Sequence, residues 1–345
     1  MNTSRVRFPL GLLIAMAVLL VTLAAACGQT EPTPTPTQVQ VAPTATATLT
    51  PATPTPTTVS PRATATATTT PATPTPTPAL FPFTMIDSNG REITFDAPPE
   101  RIIPYDGAAV EILFAMGEGH RVVGTHSFVS YPPEADAIPR IGSAFAINLE
   151  ETVALEPDLV YLFFDRFLAD LEEVGVKVLY TQSLSNTVDD VLEHFRLWGR
   201  LTGNVQAAER EAALFQARLD ILKDKLKDVE RGPRVYNHTF GFWTPGPDTL
   251  TGNIFTLLKA EMVTEDISGY AQISPEEVLV RVPEVIITSA DAVSEISDDP
   301  ALQSVTAVKN GRVLVPERAP LFIAGPRLMD VIEEIAEFLY PELFQ

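Results

Sequence analysis

The sequence predicts an α/β protein of two lobes, each a parallel sheet covered by helices, joined by one long α-helix. Three observations carry this expectation. Apolar strand-like runs alternate with helical patterns on both sides of the chain's middle, the signature of parallel sheets with helical crossovers. One unit recurs 126 residues apart: Asn148-Leu-Glu-Glu-Thr-Val-Ala-Leu-Glu-Pro157-Asp-Leu-Val matches Ser274-Pro-Glu-Glu-Val-Leu-Val-Arg-Val-Pro283-Glu-Val-Ile. Between the two, Ala208, Ala212, Phe215, Leu219, Leu222, Leu226 and Val229 recur at alternating spacings of four and three residues, one stripe along a helix.

The chain begins with Arg5 and Arg7, then an apolar run from Phe8 to Ala26 and Leu23-Ala-Ala-Ala-Cys27. A basic start, an apolar core and small residues before a cut site predict a signal peptide over 1–26. The cysteine directly after them resembles the lipobox of bacterial lipoproteins, which implies Cys27 as the lipidated first residue and an extracytoplasmic protein anchored to the cell membrane. An uncleaved membrane anchor is the other reading of this run. Cys27 is the one cysteine of the chain, so a domain outside the cytoplasm must hold together without disulfides.

Residues 27–80 are almost wholly Thr, Pro and Ala, with Glu31 and Arg62 the only charges after Cys27. Such a stretch cannot bury a core and favours extended polyproline-like chain. At roughly 3.1 Å per residue this spacer reaches on the order of 150 Å.

The first lobe is expected over 81–203. Strand-like runs fall at Arg101–Pro104, Arg121–Gly124, Asp158–Phe163 and Lys177–Tyr180, with helices at Ala108–Met116, Leu149–Glu156, Leu168–Val174 and Thr187–Leu201. The stripe helix is expected over 204–231, stopped by Gly232-Pro233. It reads either as a strut between lobes or as a coiled-coil surface. The second lobe, 232–345, offers strands at Arg234–Tyr236, Glu284–Thr288 and Arg312–Val315, and helices at Asn253–Ala260, Pro275–Arg281 and Arg327–Leu339. Two lobes on a strut leave one cleft at the strands' carboxyl ends, where such sheets bind ligands.

Composition and motifs exclude much. Residues 1–80 hold three arginines and one glutamate, so the rest carries −22 of the total −20. That balance argues against nucleic acid or anionic lipid as partner. There is no phosphate-cradling G-x-x-x-x-G-K-[ST] loop, no dinucleotide fingerprint, no H-E-x-x-H and no G-x-S-x-G elbow. The four histidines, His120, His126, His194 and His238, are scattered unlike a metal-ligand set, and His126 and His238 read as loop or surface residues. Neither an enzyme nor a cofactor-bearing protein is indicated.

Seven segments in sequence order then resemble one family. These are Met85-Ile-Asp-Ser-Asn-Gly-Arg-Glu-Ile-Thr-Phe with Pro99-Glu-Arg-Ile-Ile, Val122-Val-Gly-Thr, Tyr131-Pro-Pro-Glu-Ala with Ile138-Pro-Arg-Ile-Gly142, both repeat units, Ala307-Val-Lys-Asn-Gly-Arg-Val and Pro341-Glu-Leu-Phe. They are similar to the iron-siderophore and cobalamin solute-binding proteins of ABC importers. The resemblance implies two Rossmann-like lobes on a helical strut. It also implies an iron-chelate or corrinoid ligand, a membrane permease with its ATPase subunit as partners, and Glu150 and Glu276 as the acids that meet the permease. The family usually has a Gly-Gly-x-Asn turn where this chain has Ala260-Glu261-Met262-Val263.

Cleft candidates follow the strand ends: Tyr105, His126, Phe128, Tyr131, Phe163, Phe164 and Arg166 in the first lobe, and His238, Phe240, Phe242, Trp243, Tyr270, Arg318 and Phe322 in the second. Large flat ligands are held by aromatic walls with a few polar anchors, and the resemblance makes Tyr131 a ligand-facing position. Anionic ferric catecholates and haem need guanidiniums such as Arg166 and Arg318; a near-neutral corrinoid relies on aromatics. Both classes stay open, with the arginines tilting the expectation to an iron chelate. The rival readings are a tethered hydrolase working through cleft carboxylates and a sensor that signals without transport.

Overall fold

A computed structural model describes residues 80–143, 146–182 and 187–345; the signal, Cys27 and the Thr/Pro-rich spacer lie outside the described residues. In the first lobe a hairpin of β1 (Phe83–Ile86) and β2 (Glu92–Phe95) precedes β3 (Ile102–Pro104), α1 (Gly107–Ala115), a two-residue pair β4 (Gly142–Ser143) and β5 (Ala146–Ile147), α2 (Leu149–Ala154), β6 (Leu159–Leu162), α3 (Leu168–Glu173), β7 (Val178–Tyr180) and α4 (Asp190–Thr202). The strands β3, β6 and β7 form a parallel sheet in that order.

The long helix α5 (Val205–Lys225) leads to the second lobe: β8 (Arg234–His238), β9 (Trp243–Pro245), α6 (Leu250–Leu257), β10 (Glu261–Met262), β11 (Tyr270–Gln272), α7 (Pro275–Arg281), β12 (Val285–Thr288), α8 (Val293–Asp298), α9 (Thr306–Lys309), β13 (Val313–Leu314) and α10 (Leu328–Leu339). Its parallel sheet runs β10-β8-β12-β13. Among the described residues no helix is long and apolar enough to cross a membrane.

The stripe on α5 is explained by burial. Ala208, Ala212, Phe215, Leu219 and Leu222 are buried in one apolar cluster with residues of α1, α4 and β6 on one side and α6, α10, β8 and β12 on the other. This single core spans both lobes, so the stripe is a strut and not a free coiled-coil seam. The helix starts at a side-chain cap, Asn204 Oδ1 accepting from Ala207 N at 3.2 Å. It ends at Leu226, short of the expected 231, with Lys223 and Lys225 in the last turn favouring its negative end. Arg218 ties it to α10 through Asp330 (2.7 Å) and Glu333 (2.8 Å).

The repeated unit folds the same way twice. Asn148 caps α2 through Glu151 N and Ser274 caps α7 through Glu277 N, each at 3.2 Å. Both helices end in a left-handed residue before proline, Glu156 (φ 45) and Val282 (φ 50). Both are pinned to the first parallel strand of their lobe. Arg101 donates to the Leu155 and Glu156 carbonyls while Asp158 accepts from Arg101 N. Arg234 donates to the Arg281 carbonyl while Glu284 accepts from Arg234 N. The reciprocal half of a capping box is not made: Glu277 turns to Arg281, and Asn148 N donates to the Ile141 carbonyl.

One expectation needs correction, and two strand pairings were not read from the sequence. The run Arg121–Gly124 contributes one bridge, Val122 to Ile102, and no strand, because the chain enters it from a tight turn at Gly119–Arg121. The segment at Ala260–Val263 is not a loop but the edge strand β10 beside β8, entered through Lys259 at φ 59. The antiparallel pair β9 and β11 was unforeseen, since each is three residues long and flanked by turn residues.

The shared core makes a prediction. Phe215→Ala is expected to lower unfolding free energy by about 3–5 kcal/mol, whereas Leu214→Ala on the exposed face changes it by about 0.5 kcal/mol or less. Denaturant titration of both variants checks this; a comparable loss in Leu214→Ala would reinstate the coiled-coil reading.

Candidate functional site

A cavity of about 580 Å³ opens at the carboxyl ends of β8 and β12, within the size range of small-ligand sites. Its floor is Asn237, His238, Ile287 and Thr288; its walls are Phe240, Trp243, Tyr270 and Phe322, with the 316–322 segment after β13 closing one side. Phe240, Trp243, Tyr270 and Phe322 are all exposed, four large rings left facing solvent around one opening. Exposed apolar surface of that kind marks a binding site.

The ring-bearing turn is held by a hydrogen-bond network centred on the buried His238. A carboxylate can only accept, so His238 Nε2–H donates to Glu295 (3.1 Å), and Nδ1 then accepts from the Thr288 hydroxyl (2.9 Å). Glu295 also accepts from Gly241 N at 2.9 Å, and Gln272 Nε2 donates to the Gly241 carbonyl at 2.6 Å. Gly241 and Phe242 both sit in the left-handed region, φ 72 and 61. That reversal sends Phe240 and Trp243 to the cavity and drops Phe242 beneath it, edge-on to His238 with centroids 5.0 Å apart. His238 is thus a fully buried strut of the site, 0% exposed, and not a surface histidine. Burial pushes its pKa down and Glu295 opposes that shift. Both ring nitrogens are engaged, so neither has a lone pair free for a metal. Among the described residues no cluster of His, Cys, Asp or Glu could hold a metal ion.

The cavity's cations are compensated. Arg318 pairs with Glu337, and the backbone N–H groups of Glu317 and Arg318 donate to Glu334. Arg327 donates to Glu111 Oε1 through Nη2 at 2.6 Å. With Asp291 and Glu317 also in the lining, the site presents N–H donors without net positive charge.

The first-lobe candidates divide. Tyr105 is 1% exposed; its hydroxyl donates to the Ile141 carbonyl (3.0 Å) and shares a hydrogen bond with Thr152 (2.8 Å). It is a core residue, because the strand end turns it under α2. Phe128 is exposed, Phe163 and Phe164 lie against one another, and Arg166 covers the Phe167 ring at 5.2 Å. None of these four lines the cavity. Tyr131 is also outside the lining, but Arg327, which belongs to it, lies 3.7 Å over the Tyr131 ring. His126 is buried, its Nδ1 accepting from Phe128 N at 3.2 Å, and burial with Arg140 nearby lowers its pKa to about 4. Glu295, Glu111 and Arg327 escaped the sequence reading. Each is one charged residue on a helix or its cap, with no spacing signal to distinguish it from a solvated face.

Glu150 and Glu276 stand at equivalent first-turn positions of α2 and α7, both exposed. Neither makes an ion pair among the described residues, while their neighbour Glu277 is bound to Arg281.

Residues 102–317 match the family model described as periplasmic binding protein. A cobalamin-binding protein of Halobacterium salinarum is 28% identical over 272 residues, 74% of this chain and 73% of its own. The solved periplasmic vitamin B12 binding protein BtuF of Vibrio cholerae superposes with a TM-score of 0.64 at 27% identity, covering 72% of this chain and 99% of that one. The periplasmic heme-binding protein RhuT from Roseiflexus sp. RS-1 shares the fold at 24% identity and a TM-score of 0.64, over 71% of this chain and 99% of its own.

The buried His126 generates a pH dependence. Its folded pKa, about 4, lies below the unfolded value near 6.5, so the unfolded state binds the extra proton and stability falls as pH drops through that window. Between pH 7.5 and 5 this single group contributes a loss of about 2 kcal/mol. Denaturant titrations at the two pH values should show His126→Gln losing correspondingly less than the parent.

Proposed function

From the premise that the chain belongs to the periplasmic binding protein family, we propose that it captures a corrinoid of the cobalamin type in the second-lobe cavity and delivers it to an ABC permease. The observation that carries this reading is the pairing of aromatic walls with compensated cations. Arg318 and Arg327, the cavity's two guanidiniums, are committed to Glu337 and Glu111, and Asp291 and Glu317 add negative charge. An anionic catecholate or a haem propionate would enter against that field. A corrin ring of low net charge, fringed with amides, matches rings for stacking and N–H groups for its carbonyl oxygens. The arginines that favour an iron chelate in the sequence are therefore poor support for one. The relatives named for cobalamin or vitamin B12 binding agree with this choice.

The remaining parts follow the same reading. Cys27 would carry the lipid, the Thr/Pro-rich stretch would set the reach from the membrane, and Glu150 and Glu276 would present the two lobes to basic groups of the permease. Transport energy would come from a separate ATPase.

Trp243 is at the cavity and Trp198 is fully buried, so ligand-dependent quenching reports on the former. Titration of the purified protein with cyanocobalamin is expected to saturate with a Kd on the order of micromolar or tighter, and haemin or ferric siderophores to bind at least about tenfold more weakly. Tight binding of an anionic chelate with no response to cyanocobalamin would overturn the assignment.

Charge reversal of both acids, Glu150→Lys with Glu276→Lys, should abolish uptake in membranes carrying the permease and leave the fluorescence titration unchanged. Lost affinity instead would place these residues in ligand binding or folding.

A further inference from the structure

Arg327 joins a helix start, the ligand cavity and two residues of the first lobe. It precedes α10 in the second lobe, where it acts as the N-cap residue, and it lines the ligand cavity. Its guanidinium donates to Glu111 of α1 through Nη2 (2.6 Å) and Nε (3.2 Å). The same group lies over the Tyr131 ring, 3.7 Å from its centroid. Glu111 and Tyr131 belong to the first lobe. One second-lobe side chain therefore holds a buried first-lobe acid with its donors and a first-lobe aromatic with its face.

The surroundings are built for this contact. Glu111 is 4% exposed, a burial that a lone carboxylate tolerates poorly and a paired one tolerates well. The segment leading to Arg327 lies against α1. A Cβ on Gly325 would stand 3.1 Å from Glu111 Oε2, and one on Gly107 would meet Ile323 Cδ1 at 3.7 Å and His126 Nε2 at 3.8 Å. Chain-adjacent residues Arg318 to Phe322 line the cavity, so the anchor and the ligand wall are one continuous strap. A planar guanidinium satisfies the stack and the carboxylate together; an ammonium cannot.

We propose that Arg327 is the positioning residue that fixes Tyr131, as the first-lobe wall of the ligand site, against the second-lobe cavity. Glu111 orients Arg327, Arg327 orients Tyr131, and the strap links both to the residues that touch ligand. The assignment rests on the corrinoid reading for its affinity measurement but not for its geometry.

Two measurements test it on the whole protein. In a double-mutant cycle, Arg327→Lys and Tyr131→Leu are each expected to weaken cyanocobalamin binding about tenfold, and the double variant by about the same tenfold and not a hundredfold. In the ligand-free protein, amide hydrogen exchange over residues 128–138 is expected to quicken in Arg327→Lys and in Glu111→Gln, although neither substitution lies in that loop. A purely structural staple predicts faster exchange confined to 319–327 and α1, with additive or absent effects on affinity; that result overturns the proposal. If the parent does not bind cyanocobalamin, the ligand reading fails, and unchanged exchange over 128–138 or its increase decides the positioning role alone.

Discussion

Everything in this molecule hangs on the burial of one face of α5. A helix of 21 residues carries a stripe that neither lobe could cover alone, and the chain satisfies it by packing α4 and α1 on one side and α6 and α10 on the other. The apolar area removed from water is shared, so the lobes are held at a fixed separation by one continuous core and not by a hinge between two independent ones. Interiors packed to this density resist gradual deformation. The return of the chain from β13 through the 316–327 strap to α10 closes the arrangement, since α10 belongs to the core while the strap belongs to the site.

The second organising feature is the repeat. Equivalent helices α2 and α7 are capped alike, terminated alike by left-handed residues before proline, and clamped alike by an arginine at the entry to the first parallel strand. Those clamps fix two acids at matching places on two lobes. They also couple each helix to the strand whose far end reaches the ligand side: β8 ends at His238 on the cavity floor, and β3 runs into Tyr105 beneath α2. The symmetry stops there. The second lobe builds a ring-lined cavity on its strand ends, whereas the first lobe fills the corresponding place with a core tyrosine.

Charge compensation gives the site its character. In a chain of net charge −20, a guanidinium finds a carboxylate partner readily, and Arg318 and Arg327 have both done so. What lines the cavity is then a set of aromatic walls with paired cations, while the partly buried Glu295 and the buried His238 hold the turn that carries Phe240 and Trp243.

Sequence alone determined the α/β class, the long helix, the repeat and the first-turn positions of Glu150 and Glu276, because each depends on local periodicity, capping or proline stops within a few residues; that the long helix is a strut and not a coiled-coil surface was decided by its burial. Of the residues singled out after strand ends, Phe240, Trp243, Tyr270, Arg318 and Phe322 lie around the second-lobe cavity. The sequence did not show that Tyr105 lies in the core, that Phe128, Phe163, Arg166 and Phe242 stay outside the cavity lining, that His238 is buried, or that Glu111, Arg327 and Glu295 take part in the contacts around it. Those outcomes were decided by the tertiary structure, where residues up to 216 positions apart satisfy one another. A buried charge is defined by its partner, and a partner brought in by the crossing of two lobes leaves no period, spacing or composition in the chain to read.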